Sequence, residues 1–327
     1  MKTFYKNLIF FLLLAAAGGA DAQTFSTPDN FTLNVSPQSP RAGSAITVTA
    51  RSFAFDGRRA NFVWFLGDKK VDAGVGLSEK TFTAGKLGTE MNIIVEAISA
   101  DGLFYKARTS ISVTDIDFVI HPLTYTPPFY RGAALATPGS EVEIIAAPHL
   151  FRNGAKLKPQ NLIYEWSLDR KPLLAQSGGG RNKLLLRLAD IRGGEYEISL
   201  RVSAADGGIF AKKDARFKTT APELVFYKTN PLTGLISSAL PSFSANAGEQ
   251  FSILAEPFYF SLSSLARAEF DWRANGEKIK PDAGNPRLLN LEAPAGAESA
   301  ADVSVTIKDA KTLFQGAEGR LNIKTGL

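Results

Sequence analysis

The stretch Ala268-Glu269-Phe270-Asp271-Trp272-Arg273-Ala274-Asn275-Gly276-Glu277-Lys278-Ile279 decides the fold. Phe270, Trp272 and Ala274 alternate with Glu269, Asp271 and Arg273, which is the period of a strand with one buried face. Asn275-Gly276 follows at once, and both residues tolerate the positive φ that a two-residue type I′ turn demands. The stretch therefore predicts a strand, a tight turn and a returning strand. The same design occurs at Phe62-Val63-Trp64-Phe65-Leu66-Gly67-Asp68 and at Tyr164-Glu165-Trp166-Ser167-Leu168-Asp169. The tryptophans recur about 100 residues apart, as expected of one domain repeated three times. Trp64, Trp166 and Trp272 are thus expected in three successive cores.

A second pattern repeats in register. Gly43 precedes Ile46, Val48 and Ala50; Gly139 precedes Val142, Ile144 and Ala146; Gly248 precedes Phe251, Ile253 and Ala255. Each set predicts one strand with its apolar side inward. Phe55, Phe151 and Phe260 then stand at the same offset from the three alanines. A further aligned strand carries Ile93, Val95 and Ala97, then Ile198, Leu200 and Val202, then Ala301, Val303 and Val305. Between these lie turn-rich stretches, among them Gly74-Val75-Gly76, Gly178-Gly179-Gly180 and Pro281-Asp282-Ala283-Gly284. Many short strands separated by turn signals, with no sustained helical period, predict an all-β chain of three tandem immunoglobulin-like β-sandwiches.

The ends of the repeats set the expected domains: 23–116, 117–220 and 221–327. The second and third each open on a long apolar lead. One runs from Phe118-Val119-Ile120-His121-Pro122 through Pro127-Pro128-Phe129-Tyr130, the other from Leu224-Val225-Phe226-Tyr227 through Pro231-Leu232. Exposed aromatic groups seek cover, so the leads are expected to form a first strand and then pack along a domain seam. Residues 1–22 read as a signal peptide: Lys2 and Lys6, an apolar run from Leu8 to Ala17, and Ala20-Asp21-Ala22 as a cleavage site. No second apolar stretch reaches membrane length.

The repeats resemble bacterial immunoglobulin-like and PKD-type modules. Trp272-Arg273-Ala274-Asn275-Gly276-Glu277-Lys278 is similar to the immunoglobulin-like strand and hairpin. Trp64-Phe65-Leu66-Gly67-Asp68 resembles the PKD pattern Trp-Asp-Phe-Gly-Asp-Gly, departing from it at Phe65 and Lys69. Leu224-Val225-Phe226-Tyr227 and Asn230-Pro231-Leu232, with Ala255-Glu256-Pro257-Phe258-Tyr259-Phe260, resemble a group of exported proteins from candidate-phylum bacteria. That resemblance implies a secreted envelope protein and no particular activity.

The residues carry little catalytic chemistry. Cysteine is absent and histidine is limited to His121 and His149, both beside prolines, so no thiolate nucleophile, Cys-ligated metal or histidine-based triad is expected. Asp169, Glu195 and Asp206 are not placed across any cleft by the pattern. Asp56-Gly57, Asp101-Gly102 and Asp206-Gly207 read as turns rather than calcium ligands, since no Asp-x-Asp-x-Asp run is present. Arg58-Arg59, Lys69-Lys70 and Lys212-Lys213 are expected at turns or hairpin tips. The formal charge of +5 is mild for 327 residues and does not indicate nucleic-acid binding.

The reading is a non-enzymatic, cofactor-free, exported spacer or adhesion module of the cell envelope, with a protein or polysaccharide partner. The alternative is a carbohydrate- or peptidoglycan-binding accessory protein of a secretion, pilus or wall-processing system. Phe129, Tyr130, Phe258 and Tyr259 would then form its aromatic platform. Sec-type export predicts that the secreted chain starts at Gln23 by N-terminal mass spectrometry; a membrane-bound chain that keeps Met1 would identify an anchor instead.

Overall fold

The computed structural model describes residues 30–230, 234–296 and 299–325. The expected leader lies outside the described residues. The first sandwich comprises β1 (Phe31–Ser36), β2 (Ala45–Ser52), β3 (Asn61–Leu66), β4 (Lys69–Val75), β5 (Glu79–Thr83), β6 (Glu90–Ile98) and β7 (Phe104–Ser112). Its sheets are ordered β1-β2-β5 and β4-β3-β6-β7.

The second comprises β8 (Asp115–Pro122), β9 (Glu141–His149), the small hairpin β10 (Phe151–Arg152) and β11 (Ala155–Lys156), β12 (Leu162–Leu168), β13 (Lys171–Pro172), β14 (Gly178–Gly179), β15 (Lys183–Arg187), β16 (Glu195–Ala204) and β17 (Phe210–Lys218). Here the orders are β15-β9-β8 and β13-β12-β16-β17, with β14 also paired to β12. The third comprises β18 (Glu223–Asn230), β19 (Gly234–Ala239), β20 (Ser242–Ala245), β21 (Gln250–Phe258), one helical turn α1 (Leu262–Leu265), β22 (Glu269–Ala274), β23 (Glu277–Ile279), β24 (Leu288–Glu292), β25 (Ser299–Asp309) and β26 (Thr312–Thr325). Its sheets run β19-β18-β21-β24 and β20-β26-β25-β22-β23. The chain is thus all-β, three two-sheet sandwiches in tandem.

By packing, the chain falls into two compact units. Of the described residues, one holds those up to Val35, Thr47–Thr81 and Asn92–Ser110; the other holds Ser36–Ile46, Phe82–Met91 and those from Ile111 on. The second and third sandwiches lie together in the latter.

Each core is centred on its tryptophan. Trp64, Trp166 and Trp272 are 0%, 1% and 0% exposed. Each indole N–H donates to a main-chain carbonyl: Trp64 to Leu77 at 2.8 Å, Trp166 to Arg181 at 2.9 Å, Trp272 to Pro286 at 2.9 Å. Each acceptor lies just before the strand that edges the opposite sheet, β5, β15 or β24. The side chain thereby fills the space between the sheets and also satisfies its one polar atom. Around Trp166 pack Val142, Ile144, Ala146, Leu184, Ile198, Leu200 and Val202; around Trp272 pack Phe251, Ile253, Ala255, Val303, Val305 and Leu321. Gly43, Gly139 and Gly248 all hold positive φ, at 74°, 71° and 76°, which turns the chain into β2, β9 and β21.

Several details depart from expectation. Ile116 packs in the second core and its strand begins at Asp115. The aligned core position after the alanine strand is Leu150 in the second copy and Phe260 in the third, both 0% exposed, while Phe151 is only half-buried. Tyr259, in left-handed conformation at φ 63°, takes up the extra residue. Gly74-Val75 ends β4 rather than forming a turn. Lys212 and Lys213 lie within β17, and Lys213 pairs with Asp115 at 3.6 Å.

Replacing Trp166 by Ala should cost about 3–5 kcal/mol, read as a lowered thermal midpoint of the mature chain. An unchanged melt would contradict the central place given to the indole.

Candidate functional site

An elaborate polar network joins the second and third sandwiches. The connection from β8 to β9 runs against the turn after β21. Thr124 and Ser261 form an antiparallel bridge. The Tyr125 N–H donates to the Phe260 carbonyl and the Tyr259 N–H to the Tyr125 carbonyl, each at 2.7 Å; the Leu262 N–H reaches the Leu123 carbonyl at 3.3 Å. Tyr259 adopts a conformation that side chains with a Cβ avoid, and it does so where both its backbone polar groups are bound across the seam. Its carbonyl accepts the Thr137 hydroxyl at 2.9 Å.

Gln315 ties these segments together. It is fully buried. Its amide nitrogen donates to the Thr137 hydroxyl oxygen at 2.8 Å and to the Pro138 carbonyl at 2.6 Å, and its amide oxygen accepts the Ser261 N–H at 2.7 Å. Both amide protons and the carbonyl are therefore matched, as a buried amide requires. Nearby, the Asp190 carboxylate accepts the Leu313 N–H at 2.7 Å and the Phe314 N–H at 3.2 Å. The Arg192 guanidinium lies 5.2 Å from the Phe314 ring centre.

An aromatic cluster covers one flank. Val225, Tyr227, Glu256 and Phe258 alternate along β18 and β21 with the core residues Phe226 and Ala255, so they face away from the third core and need cover. The β8–β9 connection supplies it. Phe129 meets Tyr227 edge-on at 5.1 Å, Tyr130 meets Phe258 at 5.1 Å and 90°, and the Tyr130 and Tyr259 hydroxyls lie 2.9 Å apart. Phe258 and Tyr259 are buried and Tyr130 is 37% exposed. The structure thus brings together the four residues proposed as a platform, but edge to face and largely covered. A sugar ring stacks on an open aromatic face, whereas these four rings pack against one another along the seam. Burial, assisted by the Tyr130 hydroxyl, pushes the Tyr259 phenol up to about 12.

Beside the cluster sits a buried charge. The Tyr125 hydroxyl donates to Glu256 at 3.1 Å and accepts from Arg287 at 3.1 Å, and Arg287 approaches Glu256 at 3.5 Å. The guanidinium also lies 4.8 Å from the Tyr125 ring centre. Burial raises the Glu256 carboxyl above the ordinary carboxylate range, with Arg287 and Tyr125 opposing.

The remaining sequence candidates are scattered. His149 bonds to Asp117 at 2.9 Å and accepts from Lys156 at 3.1 Å, while His121 is exposed on β8. Asp206 accepts from Arg152 at 2.6 Å, and Asp56 from Arg58 at 3.2 Å. Among the described residues no group of three or more His, Cys, Asp or Glu side chains is placed to hold a metal ion, and no helix is long and apolar enough to cross a membrane.

No family model and no curated protein matches the chain. Similar solved structures include the three N-terminal domains of the bacteriophage RB49 highly immunogenic outer capsid protein, at 11% identity and TM-score 0.26, covering 91% of this chain and 99% of that one. Another is the Bacteroides ovatus mixed-linkage glucan utilization locus protein SGBP-B in complex with a mixed-linkage heptasaccharide, at 14% and 0.25, covering 90% and 70%. A third is Sidekick-1 immunoglobulin domains 1–4, at 12% and 0.24, covering 91% and 75%. The fold class rests on the chain's own sheets.

A carboxyl whose folded-state pKa is raised binds its proton more tightly in the fold, so its ionisation costs stability as pH rises through the folded value. Glu256→Gln keeps an acceptor for Tyr125 and removes that cost. Relative to this variant, the wild type should gain thermal stability as pH falls from neutrality towards 4.5, the ordinary value. A difference that stays constant with pH would contradict the assignment.

Proposed function

We propose that the chain is an exported, non-enzymatic interaction module of the cell envelope, acting as a spacer or adhesion element. Its three modules are of the immunoglobulin/PKD type, akin to exported proteins of candidate-phylum bacteria. The first ends before Asp115 and the second near Thr220. In this reading the second and third modules move as one body and hold a partner-binding surface at fixed reach.

The observation that carries the reading is the seam. A free linker is polar, rich in Gly and Ser, and leaves its backbone solvated. Here the β8–β9 connection gives and receives main-chain hydrogen bonds across the seam and buries Tyr227, Phe258 and Tyr259. Covering three such side chains contributes on the order of 5 kcal/mol, enough to hold a short segment in one place.

Limited proteolysis with small-angle scattering on the mature protein tests this. Slow cleavage at Tyr125 and Tyr130 and a single compact form for a fragment starting at Asp115 are expected. Fast cleavage there, with a broad distribution of shapes, would show a flexible tether and remove the mechanical basis of the spacer reading.

A further inference from the structure

One end of the first sandwich's four-stranded sheet exposes large apolar side chains. Val75 pairs with Asn61, and Asn61 with Ile98. The Ser99 N–H donates to the Leu103 carbonyl, so the turn from β6 to β7 sets Ile98 beside Phe104. Val75, Asn61, Ile98 and Phe104 therefore form one cross-strand row at the end of the β4-β3-β6-β7 sheet. Val75 is 71% exposed, Phe104 54% and Ile98 45%. Two loops extend the same end. Leu103 in the β6–β7 turn is 52% exposed, and Phe53 in the β2–β3 loop is 88% exposed. The Phe55 ring lies 4.6 Å from Tyr105, which holds that loop beside the start of β7.

The sandwich fold does not require this apolar row. The equivalent row of the second sandwich is Ile163, Ser203 and Phe210, of which Ser203 is buried and the other two are half-buried. That of the third is Glu269, Lys308 and Gly316. Phe210 occupies the place of Phe104, but Arg201 lies 4.7 Å from its ring centre. Glu96 stands at the position of Arg201 and gives Phe104 no such cover. Contiguous exposed apolar side chains of this kind mark interaction sites.

Cations stand behind and beside the row. Lys106, opposite Glu96, and then Arg108 and Lys70 follow about 7 and 14 Å along the strands. Arg58 and Arg59 follow Phe53 in the same β2–β3 loop and are exposed. Asp56 pairs with Arg58 and Glu96 with Lys106, which cancels those charges and leaves Arg59, Arg108 and Lys70 against Asp101 in the β6–β7 turn. The cations are in excess, so the complementary surface is anionic. A second copy of the chain fits poorly. A twofold axis along the strands sets Lys70 against Arg108, and one across them sets Lys106 against Lys106.

We infer that this end of the first sandwich docks on lipid membranes carrying anionic headgroups. Phe53, Val75, Ile98, Leu103 and Phe104 enter the boundary between headgroups and acyl chains, while Arg59 and Arg108 meet the phosphates. Apolar groups leading and cations one or two rows behind is the arrangement by which peripheral proteins hold to such surfaces. The inference does not depend on the rigidity of the seam.

The test is flotation of the mature chain with vesicles of phosphatidylcholine alone or mixed equally with phosphatidylglycerol. Wild type should float with the mixed vesicles and far less with phosphatidylcholine. Phe53→Ser with Phe104→Ser should partition at least about tenfold less, with an unchanged melt because both residues are exposed. The chain has no cysteine, so an environment-sensitive dye on Leu103→Cys reports insertion by a blue shift. The same dye on Leu174→Cys, 81% exposed in the second sandwich, should not shift. Absence of flotation, or equal partitioning of the double serine variant, would overturn the inference. So would a dye at position 103 that responds to protein concentration and not to vesicles, which would assign the face to a second copy.

Discussion

The indole N–H of the central tryptophan must find an acceptor inside a nearly dry core, and the way it does so organises each sandwich. In all three copies the acceptor is a carbonyl just ahead of the edge strand of the facing sheet. An unsatisfied buried donor costs about 1–3 kcal/mol, so the bond penalises any sliding of one sheet over the other. The glycine turns before β2, β9 and β21 act in the same direction. Their N–H groups donate to Ala84, Ala189 and Ala293 at 3.1 Å in every case, tying the start of the alanine strand to the far end of its neighbour. Together these bonds let the hydrophobic face vary between copies, as Val142 and Phe251 do at one position, without changing the architecture.

The seam extends the same logic beyond one core. The outer face of the β18–β21 pair is too apolar to be left in water, and Glu256 within it is too polar to be buried alone. The β8–β9 connection resolves both needs. Its aromatic groups cover the apolar part, and Tyr125, reinforced by Arg287, binds the carboxylate. Gln315 then fastens the assembly from the opposite sheet of the third sandwich. A buried ion pair with raised carboxyl pKa adds little net stability, so the apolar cluster and the matched amide hold the seam together, while the charges set its register.

Much of the fold could be read from local pattern because strand periodicity, turn glycines and the tryptophan spacing are local properties repeated in register. The Asn275-Gly276 hairpin is a case in point: both residues have positive φ, at 49° and 85°. The equivalent turn in the second copy uses Asp169 and Arg170, at 48° and 66°, and arginine carries no such signal. The one-residue shift between Leu150 and Phe260 was hidden for a similar reason, since Tyr259 occupies a left-handed conformation enforced only by partners across the seam. Thr137, Asp190, Arg287 and Gln315 were not apparent at all, because their partners are remote in sequence and no period links them. The aromatic residues of the lead were visible, but whether they turn outward or into a seam depends on β21, which no local pattern encodes. Glu256, a lone carboxylate in an apolar run, was the one available hint.

The seam can act as a rigid joint only if the second and third sandwiches keep one relative placement in solution. The cysteine-free chain allows nitroxide labels at Leu185→Cys and Lys278→Cys, exposed positions in the two sandwiches, with the distance between them measured by pulsed electron resonance. The seam described above predicts a single narrow distance distribution that broadens when Gln315→Ala is added. A broad distribution in the otherwise unaltered chain would contradict it.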